Sequence, residues 1–473
     1  MSTHSNTSDV ESATGTSWQP RLALLVAATF FMEFLDGTVL TTAIPSIALD
    51  FNVAAADVNI TMTAYLVTVA MGIPLSSWLA ERLGARTVFC LAIAVFTVAS
   101  LLCAVSQDLT MLTLSRVAQG AGGAMMVPVG TLVVLRGTPK PELLRATAYL
   151  VWPGLLAPVL APMVGGALTT FLSWHWIFII NVPLGIAAFI AALRLVPKTQ
   201  PDGERRLDWF GLLLTTLGVG AVVVGLETLG GNAPGLLAAV VVSAGVLSLA
   251  AAVWWMTKAK VPLFNLRVFG TRTFRATSTG GFIYRLTISS VPFLLPLMFQ
   301  DGFGWDPLKA GVMVAAVFVG NIGIKPATTP IIRRFGFKPV LVFSSLASAV
   351  TFALCAFLTA QTPEPVIFAL LLLSGAFRSI GFSAYASVQY ADIVPEQLPS
   401  ANAISATLVQ LAAGAGIAVG ALFLRLFEAA HIVGLDGVGA YKGAFLAMAV
   451  LMLVSTVDSL GLHRSAGAEV SGR

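Results

Sequence analysis

Two carboxylates, Glu33 and Asp36, stand inside an otherwise apolar run near the start of the chain. At a spacing of three residues they share one face of a helix. Two close carboxylates in a low-dielectric setting do not both ionise readily, so one of them is suited to taking up and releasing a proton. Arg116 stands in a later apolar run, at a depth from which it can reach the first and hold one acid ionised. The three residues form a candidate proton-coupling group. Two readings of Asp36 stay open: a coupling acid, or a fixed ion pair with Arg116 that holds two helices together. Glu33 is then the freer acid and the candidate carrier.

A second set of ionisable groups lies in the other half of the chain. Arg285, Lys325 and Arg378 occur inside apolar runs, with no carboxylate at comparable depth; Asp458 falls near the end of the last run. The excess of bases suggests that at least one of them faces an aqueous cavity and meets an anionic substrate group, since buried charges need a partner or water. Snorkelling suits Lys325, near the end of its run, better than Arg378. Tyr65, Trp152, Tyr284, Asn321, Tyr385 and Gln410 are candidates for lining the same cavity, with packing as the alternative for each.

The elements that carry these groups follow from composition. Of the 473 residues 57% are hydrophobic and only 10% charged, too few charges to cover a soluble protein of this size. Runs long enough to span a bilayer fall at about 22–47, 58–80, 87–106, 109–135, 147–171, 174–195, 209–227, 234–256, 277–299, 308–332, 340–360, 365–390, 401–427 and 439–461. The expectation is an all-α polytopic membrane protein with fourteen transmembrane helices. Continuous apolar runs exclude the short alternating strands of a β-barrel.

Bases cluster in alternate connections. Arg82, Arg86, Arg136, Lys140, Arg145, Arg194, Lys198, Arg205, Arg206, Lys258, Lys260, Arg267, Arg272, Arg275, Arg333, Arg334 and Lys338 fall on one side. Asp50, Asp57, Asp108, Asp301, Asp306, Glu364 and Asp436 outweigh Lys309 and Lys442 on the other. The positive-inside rule makes the first side cytoplasmic, together with both termini. It also accounts for the net charge of +5 without a nucleic-acid partner. Cys90, Cys103 and Cys355 lie in apolar runs, and His4, His175, His431 and His463 have no ligand spacing, so no disulfide framework, metal site or cofactor is expected. The first residues lack the h-region and cleavage site of a signal peptide and read as a disordered tail. No Walker loop, zinc-protease motif or nucleophile constellation is present, and enzyme chemistry is not expected.

The chain repeats itself. Ser77–Arg86 (SWLAERLGAR) matches Thr329–Lys338 (TPIIRRFGFK) at an offset of 252, with Gly84 on Gly336, Arg82 on Arg334 and Arg86 on Lys338. The expected organisation is a tail at 1–20, a six-helix bundle at 21–200, two linker helices within 201–276, a second six-helix bundle at 277–461 and a tail at 462–473. Parallel repeats of this kind rock about a central site. Glu81, Arg82, Gly84, Arg86, Arg333, Arg334 and Lys338 form a candidate cytoplasmic gate, because carboxylates and bases at short turns latch helix ends by charge-assisted hydrogen bonds.

Ser77–Arg86 resembles the signature loop of the major facilitator superfamily, with Ser77 in place of its first Gly, Glu81 in place of Asp and Ala85 in place of a base. Phe34–Pro45 (FLDGTVLTTAIP), Arg116–Ala124 (RVAQGAGGA), Gly154–Gly166 (GLLAPVLAPMVGG) and Ser173–Gly185 (SWHWIFIINVPLG) are similar to segments of its fourteen-helix drug:proton antiporters, and within them of the MdtD-like branch. Ala161 stands where that family usually has Gly. The resemblance covers about 20–460. It implies the major facilitator fold, an inner-membrane location and proton-coupled export of a small molecule by alternating access, with protons as the coupling ion and a monomer as the working unit. Gly154, Pro158, Pro162, Gly165 and Gly166 would be its antiporter motif: the glycines offer a smooth face for close packing, the prolines favour a bend, and together they suggest a hinge and seal between the bundles. A transporter or facilitator of organic anions on the same fold is the alternative, favoured by the interior bases.

Overall fold

The computed structural model describes residues 19–198, 206–230, 235–429, 438–463 and 465–471. Residues 1–18 of the tail expected at 1–20, together with Arg205, His431 and Asp436, lie outside the described residues, and Pro20 already belongs to the first helix.

The described chain is helical, as its apolar runs dictate. Among the described residues, twelve helices are long and apolar enough to cross a membrane. They are α1 (Pro20–Thr42), α2 (Asp57–Arg82), α3 (Ala85–Ala104), α4 (Leu109–Arg136), α6 (Trp176–Leu195), α7 (Trp209–Thr228), α8 (Gly235–Lys258), α9 (Arg272–Gly302), α11 (Phe337–Cys355), α12 (Glu364–Ala391), α13 (Pro395–Glu428) and α14 (Gly439–Leu460). A further crossing, α10, is the pair Lys309–Gly323 and Lys325–Phe335, bent by 51°. The 29-residue helix Leu143–Phe171, α5, takes the fifth place in the order, consistent with the fourteen crossings expected. Pro326 supplies a physical cause for the bend in α10, because it has no N–H to give to the carbonyl one turn back.

The helices pack as two bundles with a pair between them. Leu22, Val26, Phe30, Phe89, Phe96 and Met126 belong to the core of the first, and Phe274, Leu294, Phe299, Phe352, Phe445 and Met448 to that of the second. Helices α7 and α8 pack on each other, and α7 also touches α2 and α13, one helix from each bundle. Only 17% of the most apolar window of α8 is buried, so α8 forms the periphery. The repeated loops have the same backbone: Gly84 and Gly336 each start the next helix at φ 83° and 80°. That left-handed region is strained for any residue with a Cβ, and it explains why both repeats keep Gly there.

One end of the molecule gathers the bases. Arg86 donates to the Leu193 carbonyl, Arg272 to Gly461, and Arg333 to Pro141 at 3.3 Å. Lys309 and Glu364 pair at 2.7 Å at the opposite end.

Candidate functional site

The first bundle encloses a polar network in its apolar interior. Asp36 on α1 is 1% exposed and Arg116 on α4 is fully buried. Their Oδ2 and Nη1 stand 2.5 Å apart. The other Asp36 oxygen accepts from Gln119 Nε2 at 2.9 Å and from Asn181 Nδ2 at 2.7 Å. Gln119 returns its Oε1 to Arg116 at 2.7 Å and donates its Nε2 to Ser100 at 2.8 Å. The guanidinium lies over the Tyr65 ring at 4.1 Å, which gives the cation a second favourable contact. Five helices, α1, α2, α3, α4 and α6, meet in this network.

Glu33 stands one turn earlier on the same face of α1 and is also buried. Its Oε2 has no hydrogen-bond partner among the described residues, and neither has Tyr65 Oη. A methyl added at Gly123 would lie 3.4 Å from the Glu33 carboxylate and 3.3 Å from Tyr65 Oη. Gly123 therefore leaves the space that both groups face. The two acids differ in kind: Asp36 is fully engaged by a cation and two amides, whereas Glu33 has no cation beside it.

The bases of the second bundle have neutral partners among the described residues. Arg285 donates to Gln389 Oε1 at 3.3 Å and Lys325 to Ser383 Oγ at 2.6 Å. Arg378 Nε donates to the Ser374 carbonyl of its own helix at 3.1 Å, its guanidinium lies 5.8 Å from the Phe352 ring, and its Nη2 has no partner there. Among the described residues no carboxylate pairs with these three bases.

The remaining expected residues divide. Tyr284 and Tyr385 pack ring to ring at 5.2 Å, and Tyr385 Oη bonds Ser459 at 2.7 Å and Ser455 at 3.0 Å. Both belong to the packing of the second bundle, not to an open cavity wall, because each ring already has apolar neighbours and a partner for its hydroxyl. Tyr65 belongs to the Arg116 network. Trp152 is exposed on α5 and Gln410 half-buried on α13. Asn321 receives Ser379 on its carbonyl at 2.9 Å, while its buried Oδ1 has no partner among the described residues.

The Gly-rich stretch of α5 packs within its own bundle. A Cβ on Gly154 would meet Phe34 at 3.1 Å, and one on Gly165 would collide with Val39 and Thr42. Both neighbours are on α1, so these glycines let α1 and α5 approach closely. Gly166 faces open space and is not part of that packed face. The expected seal between bundles is therefore not made by these glycines. The side chains of Pro158 and Pro162 lie outside the described residues.

The bundles meet instead through polar contacts at the base-rich end. Thr147 on α5 and Ser387 on α12 bond at 2.6 Å. Asn402 on α13 donates to the Pro128 carbonyl of α4 at 2.6 Å. The final turns of α2, Ser76–Arg82, pack on α13, and Arg82 lies 5.5 Å from the Trp78 ring. Arg86 and Arg334 act within their own halves, on Leu193 and on Phe335. Glu81 and Lys338 are half-buried at the same end. The residues after α14, expected as a plain tail, dock there as well: Val470 is fully buried and Glu469 meets Lys140 at 2.7 Å. The molecule is closed on its base-rich face.

Sequence reasoning missed Gln119, Asn181 and Ser100. The first two lie inside the segments Arg116–Ala124 and Ser173–Gly185, and a search for neutral amides within those segments would have found them.

Comparison with known proteins agrees with this architecture. The family model of the Major Facilitator Superfamily matches residues 26–276 and 277–466, and the two matches divide at the start of the second bundle. A protein of Serratia proteamaculans called MdtD, whose name proposes a role in multidrug resistance, is 35% identical over 446 residues, covering 93% of this chain and 92% of its own. Its namesake in Pectobacterium atrosepticum is 34% identical over 436 residues, covering 90% and 92%. Among solved structures, the human organic anion transporter MFSD10 superposes with a TM-score of 0.66 at 15% identity, over 93% of this chain and 99% of that one. The proton:xylose symporter XylE superposes at 0.62 with 14% identity, over 93% and 95%. At such low identity these two structures speak for the fold alone.

Proposed function

This chain belongs to the Major Facilitator Superfamily, and we propose that it exports a small molecule in exchange for protons, with Glu33 as the residue that carries the proton. It is a multi-pass membrane transporter working by alternating access. The base-rich face is cytoplasmic, with both termini, by the positive-inside rule, and the membrane is the bacterial inner membrane of the MdtD relatives.

The observation that carries the reading is the contrast between the two acids. Asp36 is engaged by Arg116, Gln119 and Asn181, while Glu33 shares the buried face with no ion pair among the described residues. Protonation of Glu33 removes an uncompensated charge from the interior. When the cavity opens to the acidic outer side, Glu33 takes up a proton; when it opens to the cytoplasm, the proton leaves and substrate enters. Each ligand shifts the balance between the two states by its unequal affinity for them. The closed base-rich face corresponds to the outward-open half of this cycle. The relatives' name supports a drug-like substrate.

A second reading, transport of organic anions by uptake or efflux, is favoured by Arg285, Lys325 and Arg378, whose charges have no carboxylate partner. Proteoliposomes with an imposed pH gradient, assayed with cationic, neutral and anionic compounds, separate the two. Gradient-driven efflux of cationic or neutral amphiphiles supports the first reading. Anion flux indifferent to the gradient supports the second.

A further inference from the structure

A groove of about 410 Å³ opens at the base-rich end between the start of α5 and the second half of α10. It is lined by Glu142, Arg145, Ala148 and Tyr149 on one side and by Lys325, Pro326, Thr329 and Arg333 on the other. Three bases therefore converge against one acid. Lys325 is 9% exposed and its ammonium gives one hydrogen bond to a neutral hydroxyl, with no ion pair among the described residues.

Residues of both bundles line the groove. At about 3.6 residues per turn, Arg145, Ala148 and Tyr149 share one side of α5, while Thr147 points to the opposite side. Thr147 is the residue that bonds Ser387 in the interface between the bundles. On α10, Pro326 and Arg333 are exposed, whereas Lys325 and Thr329 lie on the more buried side with Thr328 and Ile332. The exposed side of the groove thus carries Arg145, Tyr149, Pro326 and Arg333, and Lys325 closes its buried side. Tyr149 is 37% exposed beside it, in keeping with the preference of aromatic rings for headgroup depth.

We propose that this groove between α5 and α10 is a binding site for the phosphate headgroup of an anionic phospholipid of the cytoplasmic leaflet. The assignment of the leaflet rests on the orientation given above; the site itself does not depend on what the protein transports. The lipid's phosphate oxygens accept from Arg145, Arg333 and the unused donors of Lys325, while its chains lie along the exposed apolar surface of the two helices. Basic pockets between transmembrane helices on the cytoplasmic side suit such headgroups. Because the groove is shared by one helix from each bundle, a lipid seated in it bridges the halves while the cytoplasmic face is closed.

The test is native mass spectrometry of the full chain in mild detergent with added phosphatidylglycerol or phosphatidylcholine. Phosphatidylglycerol adducts are expected to exceed phosphatidylcholine adducts, and Arg145→Gln/Arg333→Gln is expected to lower the phosphatidylglycerol adduct by about tenfold or more. Arg194→Gln/Arg267→Gln, which removes the same net charge from exposed positions outside the groove, should keep the adduct. Thr329→Trp, which fills the groove without changing charge, should lose it, and serves if the double arginine variant does not fold. Equal retention of the two lipids, or equal losses in the groove and control variants, would overturn the proposal. So would competition by millimolar glycerol 3-phosphate as effective as that by the lipid, because the occupant would then be a free anion.

Discussion

Asp36 and Arg116, eighty positions apart in the chain, meet at 2.5 Å with both side chains removed from solvent. Around them Gln119 and Asn181 use the second carboxylate oxygen, so this acid is committed before any substrate or proton arrives. Its neighbour Glu33 is not. On the proposed reading, that difference separates a structural ion pair from a carrier on the same helix face.

Removing one partner of the pair leaves a buried charge, a change that costs about 3–5 kcal/mol. Asp36→Asn and Arg116→Leu should each lower the thermal unfolding midpoint in detergent by several degrees. The double variant Asp36→Asn/Arg116→Leu should recover part of the loss. Losses that simply add would deny the coupling.

Gly123 sets the space in which Glu33 and Tyr65 Oη face each other. In Gly123→Ala the new methyl lies within 3.4 Å of both groups, so one must shift. The expected result is weakened gradient-driven flux with thermal stability within about 1 kcal/mol of the parent, the scale of a tolerated substitution. Unaltered flux would show that the carboxylate's position is not critical.

Closure on the base-rich face includes two neutral hydrogen bonds between the bundles, Thr147–Ser387 and Asn402–Pro128, each worth about 1 kcal/mol. Thr147→Val with Asn402→Leu should therefore raise labelling of cysteines placed along the cytoplasmic cavity by about fivefold or more. Deleting residues 465–473 removes the Glu469–Lys140 pair and the buried Val470, and should act in the same direction. Unchanged labelling in both would move the closure to other contacts.

Arg378 has a carbonyl of its own helix and a phenylalanine ring for company. A charge kept at such cost without a carboxylate points to use in transport. Arg378→Leu should abolish or redirect transport while leaving stability equal or higher, since an apolar side chain suits the pocket better. Normal transport by this variant would remove the main support for an anion-binding role.

The sequence made some of this legible and hid the rest for physical reasons. Glu33, Asp36, Arg116, Lys325 and Arg378 stand out because an ionisable residue in an apolar run is expensive and therefore conspicuous. The repeated turns were readable because Gly84 and Gly336 hold a backbone that other residues avoid. Thr147 and Ser387 were not readable: hydroxyls in spanning helices commonly bond their own preceding turn, as both of these also do, and nothing in the sequence distinguishes the one that reaches across. Tyr284 and Tyr385 looked like cavity residues because a hydroxyl in an apolar run suggests water, yet Ser455 and Ser459 satisfy Tyr385 from another helix. The 51° bend of α10 was foreshadowed by Pro326, although one proline among many does not single itself out.

The most direct test of the account is gradient-driven flux in Glu33→Gln, measured in proteoliposomes beside substrate binding at several pH values. Glutamine keeps the shape of the protonated acid and cannot release a proton. The account predicts that substrate binding loses its dependence on pH and that the pH gradient no longer drives export, while the protein stays as stable as the parent. Proton-driven flux at the parent level in Glu33→Gln would contradict it and move the coupling role to Asp36.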